Sequence, residues 1–196
     1  MQALLKLSGW IDAVNEHIGK ATTWLVLIMA VISAANATVR YSVNWSSNSL
    51  LEIQWYLFSA VFLLCSGYTL LKNEHVRIDV ISGHLSARTR TWIDIVGFVC
   101  FFFPMIYLFL HTGWPFFMVA FNGGEMSANA GGLIRWPAKL LVPVGFFLLG
   151  LQGVSEVIKR VAFLKGLIPD PTDKHGKSAE EELAEEIART ARGVTQ

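Results

Sequence analysis

The chain is poor in charge. Lys, Arg, Asp and Glu make up 16% of its 196 residues, and 16 basic against 15 acidic side chains leave a formal net charge of +1. An ordinary water-facing domain devotes about a quarter of its residues to charge, so much of this surface is not built for water. The near balance of signs also excludes the basic face with which proteins neutralise phosphates, and no nucleic acid is expected as a partner. Cysteine is scarce too: Cys65 and Cys100 each lie in an apolar stretch, which excludes a disulfide framework and a C-x-x-C redox pair. No serine sits in a G-x-S-x-G turn, no nucleotide-binding glycine loop occurs and no internal repeat is evident.

Histidine adds little chemistry. His17, His75, His84 and His175 fall outside the apolar runs, and only His111 falls within one, near its outer end. Two imidazoles facing each other at one depth are needed to ligate a haem between helices. The separation of His75 and His84 matches no zinc pattern. No catalytic residue, metal or cofactor is therefore expected, and the chain reads as something other than an enzyme.

What is present is apolar: 53% of residues are hydrophobic, with a mean hydropathy of +0.46. A hydrocarbon core about 30 Å thick takes roughly 20 helical residues to cross. Four segments have that length, at about 22–39, 50–71, 92–112 and 140–161. The expected fold is an all-α integral membrane protein with these four transmembrane helices making up a domain over 21–163. Glu52, Asp94 and Glu156 lie near span ends, where a carboxylate reaches water or headgroups. The span centres hold Val, Leu, Phe, Ile and Cys, without the midplane charges or broken half-helices of a self-sufficient carrier. Asn36 is the most polar residue inside the first span and is expected to hydrogen-bond a neighbouring helix.

Cytoplasmic segments retain Lys and Arg. Lys6 and Lys20 precede the first span, Lys72, Arg77, Arg88 and Arg90 lie in the second loop, and Lys159, Arg160, Lys165, Lys174, Lys177, Arg189 and Arg192 close the chain, leaving Arg40, Arg135 and Lys139 for the other side. Both termini should be cytoplasmic. Tyr41, Trp45, Trp55, Tyr56, Trp114 and Trp136 then fall in the outer interfacial belt. Ala35-Asn36-Ala37 imitates a signal-peptide cleavage site, but the long segment ahead of the apolar run argues for a retained span.

Before the first span, Leu4, Leu7, Trp10, Ile11, Val14 and Ile18 recur at helical spacing. Residues 1–20 are thus predicted to form an amphipathic helix, lying in the cytoplasmic interface or packed on the second loop. After the last span, Pro169-Asp170-Pro171 opens a cytoplasmic linker and acidic tail over 164–196. In it, Ser178 with Glu181 forms a capping box for a short helix. Within the second loop, Glu74-His75-Val76-Arg77-Ile78-Asp79-Val80 alternates polar with apolar, as in a segment lying along headgroups.

Three stretches carry a family resemblance: Glu52-Ile53-Gln54-Trp55-Tyr56-Leu57-Phe58; Gly67-Tyr68 on to His75-Val76-Arg77-Ile78-Asp79-Val80; and Gly132-Leu133-Ile134-Arg135-Trp136-Pro137, continuing through Lys139, Pro143, Gly145, Gln152 and Ser155-Glu156. They resemble the small permease subunit of tripartite ATP-independent periplasmic (TRAP) transporters, the DctQ-like family. Many members carry an acid and an arginine where this chain has Gln54 and Trp55. The resemblance implies a multi-pass protein of the bacterial inner membrane that scaffolds a large TRAP membrane subunit. It implies also a periplasmic solute-binding protein as partner and a sodium gradient that drives symport of an organic acid. Glu52, Tyr56, His75, Arg77, Asp79, Arg135, Trp136, Pro137, Lys139 and Glu156 become the family-motif or interface candidates. A membrane anchor for a redox enzyme and a small independent carrier are the rival readings.

Overall fold

The structure is a computed structural model and describes residues 1–44, 47–72 and 86–169. His75, Arg77 and Asp79, like the linker and tail from 170 onward, lie outside the described residues. Four helices account for almost everything described: α1 (Gln2–Val43), α2 (Asn48–Lys72), α3 (Ala87–Asn122) and α4 (Trp136–Leu164). All four are long and apolar enough to cross a membrane, as an all-α membrane fold demands.

Two helices are longer than the sequence suggests. Residues 1–20, expected as a separate element, are the first turns of a single α1 of 42 residues. No proline or glycine pair interrupts that stretch, and its small and polar side chains pack on the bundle. The third helix runs past its expected end at Thr112 to Asn122, with Pro115 accommodated inside it. Such a helix is tolerable where lipid denies the chain any alternative to internal hydrogen bonding.

The phase of α3 changes midway. Residues Phe98–Phe102 form a π turn, and the Phe103 amide donates to the Phe98 carbonyl, five residues back. Pro104 follows directly; it has no N–H for Cys100, and its ring crowds that carbonyl. In an unbroken α-helix, Asp94 and Ile106 would point roughly 120° apart at 100° per residue. The extra residue of the π turn takes up about 100° of this, so both face α4.

Helix α4 is the hub, packing against α1, α2 and α3, while α2 also packs along α1. Glycines let the axes approach: a Cβ on Gly145 would stand 2.8 Å from the Leu63 carbonyl oxygen, and one on Gly67 would meet the Asn15 amide at 2.2 Å. Burial is inverted relative to a water-soluble bundle. The interior holds Ser8, Asn15, Thr22, Gln152, Ser155, Glu156 and Arg160, whereas Trp24, Val31, Phe62, Phe101 and Val119 are exposed. In hydrocarbon this is the favourable arrangement, because apolar surface gains nothing by leaving lipid and polar groups gain partners.

Candidate functional site

Polar side chains gather at the two ends of the bundle. At the proximal end, the first turns of α1 meet the last turns of α4. The Asp12 carboxylate accepts from Gln152 Nε2 at 2.8 Å, Ser155 Oγ at 2.6 Å and Lys159 Nζ at 3.1 Å. Asn15 Nδ2 donates to Gln152 Oε1 at 3.0 Å, and the Ser8 and Ser155 hydroxyls lie 2.7 Å apart. One turn on, Glu156 is bound by Lys159 and by Arg160 Nη1. Arg160 Nε also reaches Asp94 on α3 at 3.1 Å, and its guanidinium lies 5.0 Å from the centre of the Phe98 ring. Arg160 is 2% exposed, so a cation that the charge count placed with a cytoplasmic tail instead ties α4 to α3. Glu16 pairs with Lys20 at 2.8 Å and lies 3.9 Å from Lys72 at the foot of α2, which sets α2 on the same end.

At the distal end the connection between α3 and α4 folds back as a small hairpin. Ser127 N donates to the Leu133 carbonyl at 2.9 Å and Arg135 N to the Glu125 carbonyl at 2.8 Å, flanking a bridge between Met126 and Ile134. Gly131, at φ 70°, supplies the left-handed turn that returns the chain. Helix α2 clamps this hairpin. Glu52 accepts from the Leu133 amide at 2.7 Å, from Asn129 Nδ2 at 2.8 Å and from the Ser127 hydroxyl. The Tyr56 hydroxyl donates to the Ile134 carbonyl at 3.2 Å and Asn48 Nδ2 to the Ala130 carbonyl at 3.0 Å. Glu52 therefore does not reach out to water as its place near a span end suggested; it is 5% exposed and holds the hairpin onto α2.

The candidates from the sequence largely converge here. Arg135 pairs with Glu125 at 3.1 Å; Lys139 binds the other Glu125 oxygen and sits 4.2 Å above the Phe116 ring. Lys139 and Arg135 hold the Glu125 carboxyl below its ordinary range, the hydrogen bond from Lys139 being the largest cause. Trp136 packs edge-on against Phe121 and Phe117, and Pro137 occupies the first turn of α4, where its missing N–H costs nothing. Glu156 alone among the described candidates belongs to the other end. Asn36 is buried, yet its Oδ1 finds no partner among the described residues.

Sequence reasoning missed most of the proximal network. Its signal was there: Ser8, Asp12, Asn15, Gly19 and Thr22 recur every three or four residues, a small and polar seam opposite the apolar stripe. That seam packs, while Leu4, Leu7 and Trp10 stay exposed. Among the described residues no group of His, Cys, Asp and Glu could hold a metal ion. Among the described residues most polar groups at the two ends are paired within the chain and clamp its helices together, while Asn15 Oδ1 and Arg90 Nε are buried without a hydrogen-bond partner.

The sequence profile of the family described as "Tripartite ATP-independent periplasmic transporters, DctQ component" matches residues 23–163. That stretch includes α2, α3 and nearly all of α1 beyond the proximal seam and of α4. No curated protein and no solved structure matches the chain.

Proposed function

From the premise that the chain belongs to the DctQ component family of tripartite ATP-independent periplasmic transporters, we propose that this small transporter subunit braces the large membrane subunit. The observation that carries the reading is the inverted burial. Most of the buried polar groups are held in clamps at the two ends, and wide, mainly apolar faces of α1 and α3 are left for lipid and protein. A scaffold needs stiffness and exposed area more than an internal path for solute.

In this reading the protein lies in the bacterial inner membrane with the proximal end cytoplasmic, because Lys6, Lys20, Lys72, Arg88, Arg90, Lys159 and Arg160 collect there. The distal hairpin then faces the periplasm, where Arg40, Glu125, Arg135 and Lys139 help receive a soluble solute-binding protein. A sodium gradient drives symport through the large subunit, and the solute is an organic acid. Removing this chain while keeping the other two components should abolish uptake of radiolabelled solute into proteoliposomes, with the binding protein still folded and binding. Uptake at the wild-type rate from the large subunit and binding protein alone would refute the proposal.

A further inference from the structure

His111 stands where an imidazole is hard to explain. Phe109 stacks on Phe146 at 4.1 Å, and Gly113 faces Val142 and Pro143, so His111 is level with the α4 turn between those contacts. That turn lies roughly 12 Å inward from Trp136, counting 1.5 Å per residue along α4. The proximal clamp at Glu156 and Arg160 is still farther from it on the other side. The extension of α3 to Asn122 thus moves His111 from the edge of a span to the middle of one.

There it is exposed, on the side of α3 turned away from α4. Its ring stacks at a tilt on Tyr107, centroids 5.7 Å apart, and Tyr107 is 69% exposed. Neither the imidazole nor the Tyr107 hydroxyl has a hydrogen-bond partner among the described residues. A lysine could snorkel from this depth, but the histidine side chain is too short. Two unsatisfied polar groups facing hydrocarbon are costly, and polar side chains at such depth usually face protein. Beside them, between α3 and α4, opens an apolar groove of about 420 Å³ lined by Leu110, Trp114, Pro143, Val144, Phe147 and Leu148.

We infer that this face of α3 docks a transmembrane helix of the large membrane subunit, which sets a hydrogen-bonding side chain against His111 and Tyr107 and an apolar one into the groove. Polar complementarity at His111 fixes depth and rotation, and the groove fixes position along the membrane, as for helices read through a few anchors. The inference rests on the proposed scaffold role and names the surface that carries it.

The test replaces Tyr107 with photoreactive benzoylphenylalanine in the tagged full chain, co-expressed with the large subunit, and uses Val31 on α1, 60% exposed, as the comparison site. An adduct with the large subunit from position 107 is expected. In parallel, His111→Leu should lower recovery of the large subunit with the tagged chain at least several-fold, and His111→Gln, which keeps a hydrogen-bonding group, should restore most of it. Adducts from Val31 but not position 107, adducts at 107 only with lipid or with a second copy of this chain, or undiminished recovery with His111→Leu would each overturn the docking face and leave the scaffold role standing. Failure of the wild-type chain to retain the large subunit would overturn both.

Discussion

At the scale of single residues, Arg160 shows how much one side chain holds. It neutralises Glu156 one turn away and Asp94 on another helix while being 2% exposed. Removing one partner of a buried ion pair typically costs about 3–5 kcal/mol, a loss that is softened here because Glu156 keeps Lys159 as a partner. Arg160→Leu is expected to lower the detergent melting temperature markedly, and the triple change with Asp94→Asn and Glu156→Gln should regain much of the loss; a melting curve that does not move would show the clamp to be dispensable. Gly145→Ala tests the other kind of contact. Its Cβ would press on the Leu63 backbone at 2.8 Å, and backbone cannot rotate away, so a loss of about 1–3 kcal/mol is expected. At the distal end, Lys139 and Arg135 depress the Glu125 carboxyl below its ordinary value of 4.5. A group with a lowered folded-state value stabilises above the unfolded value and loses that contribution as pH falls through the folded one. The difference in melting temperature between wild type and Glu125→Gln should therefore be constant near neutrality and shrink as pH falls below about 4.5; a gap that widens in acid would contradict the sign.

At the scale of elements, the π turn in α3 behaves as a single inserted residue. Removing one residue from Phe98–Phe102 would restore an α-helix in which Asp94 and Ile106 keep nearly their present relative direction, about 20° apart at 100° per residue. Deleting Cys100, which is exposed, should thus leave the Arg160–Asp94 pair and the packing of Ile106 near Gly150 in place. Deleting Leu108 instead swings Gly113 and Phe117 off α4 by roughly 100° and should abolish accumulation of the folded chain. Comparing the two deletions by fluorescence-detected size exclusion separates these outcomes. Equal damage from both would mean that the π turn is needed for itself, for instance to seat Phe98 under Arg160.

At the scale of the whole molecule, what was legible in the sequence was what depends on local composition. Runs of apolar residues announce four crossings, and lysine and arginine separate the two ends, because both signals survive without knowing which helix touches which. The ends of α1 and α3 were less visible: polar residues before Thr22 and the Gly113–Pro115 stretch imitate boundaries, and only packing on α4 reveals continuous helix. The clamps were least visible, since Asp12 meets Lys159 and Glu52 meets Leu133 across long stretches of chain. Glu52, Tyr56, Arg135, Trp136 and Lys139 could be named from motif, but not that they converge on one hairpin. That convergence makes the orientation testable with small probes. In a chain whose Cys65 and Cys100 are replaced by alanine, Ala128→Cys lies in the exposed distal hairpin and Ala3→Cys in the exposed first turn of α1. A membrane-impermeant maleimide added to intact spheroplasts should label the first and reach the second only after permeabilisation. The opposite pattern would place the Lys- and Arg-rich end outside, and the hairpin, with Glu125, Arg135 and Lys139, could not then meet a periplasmic partner.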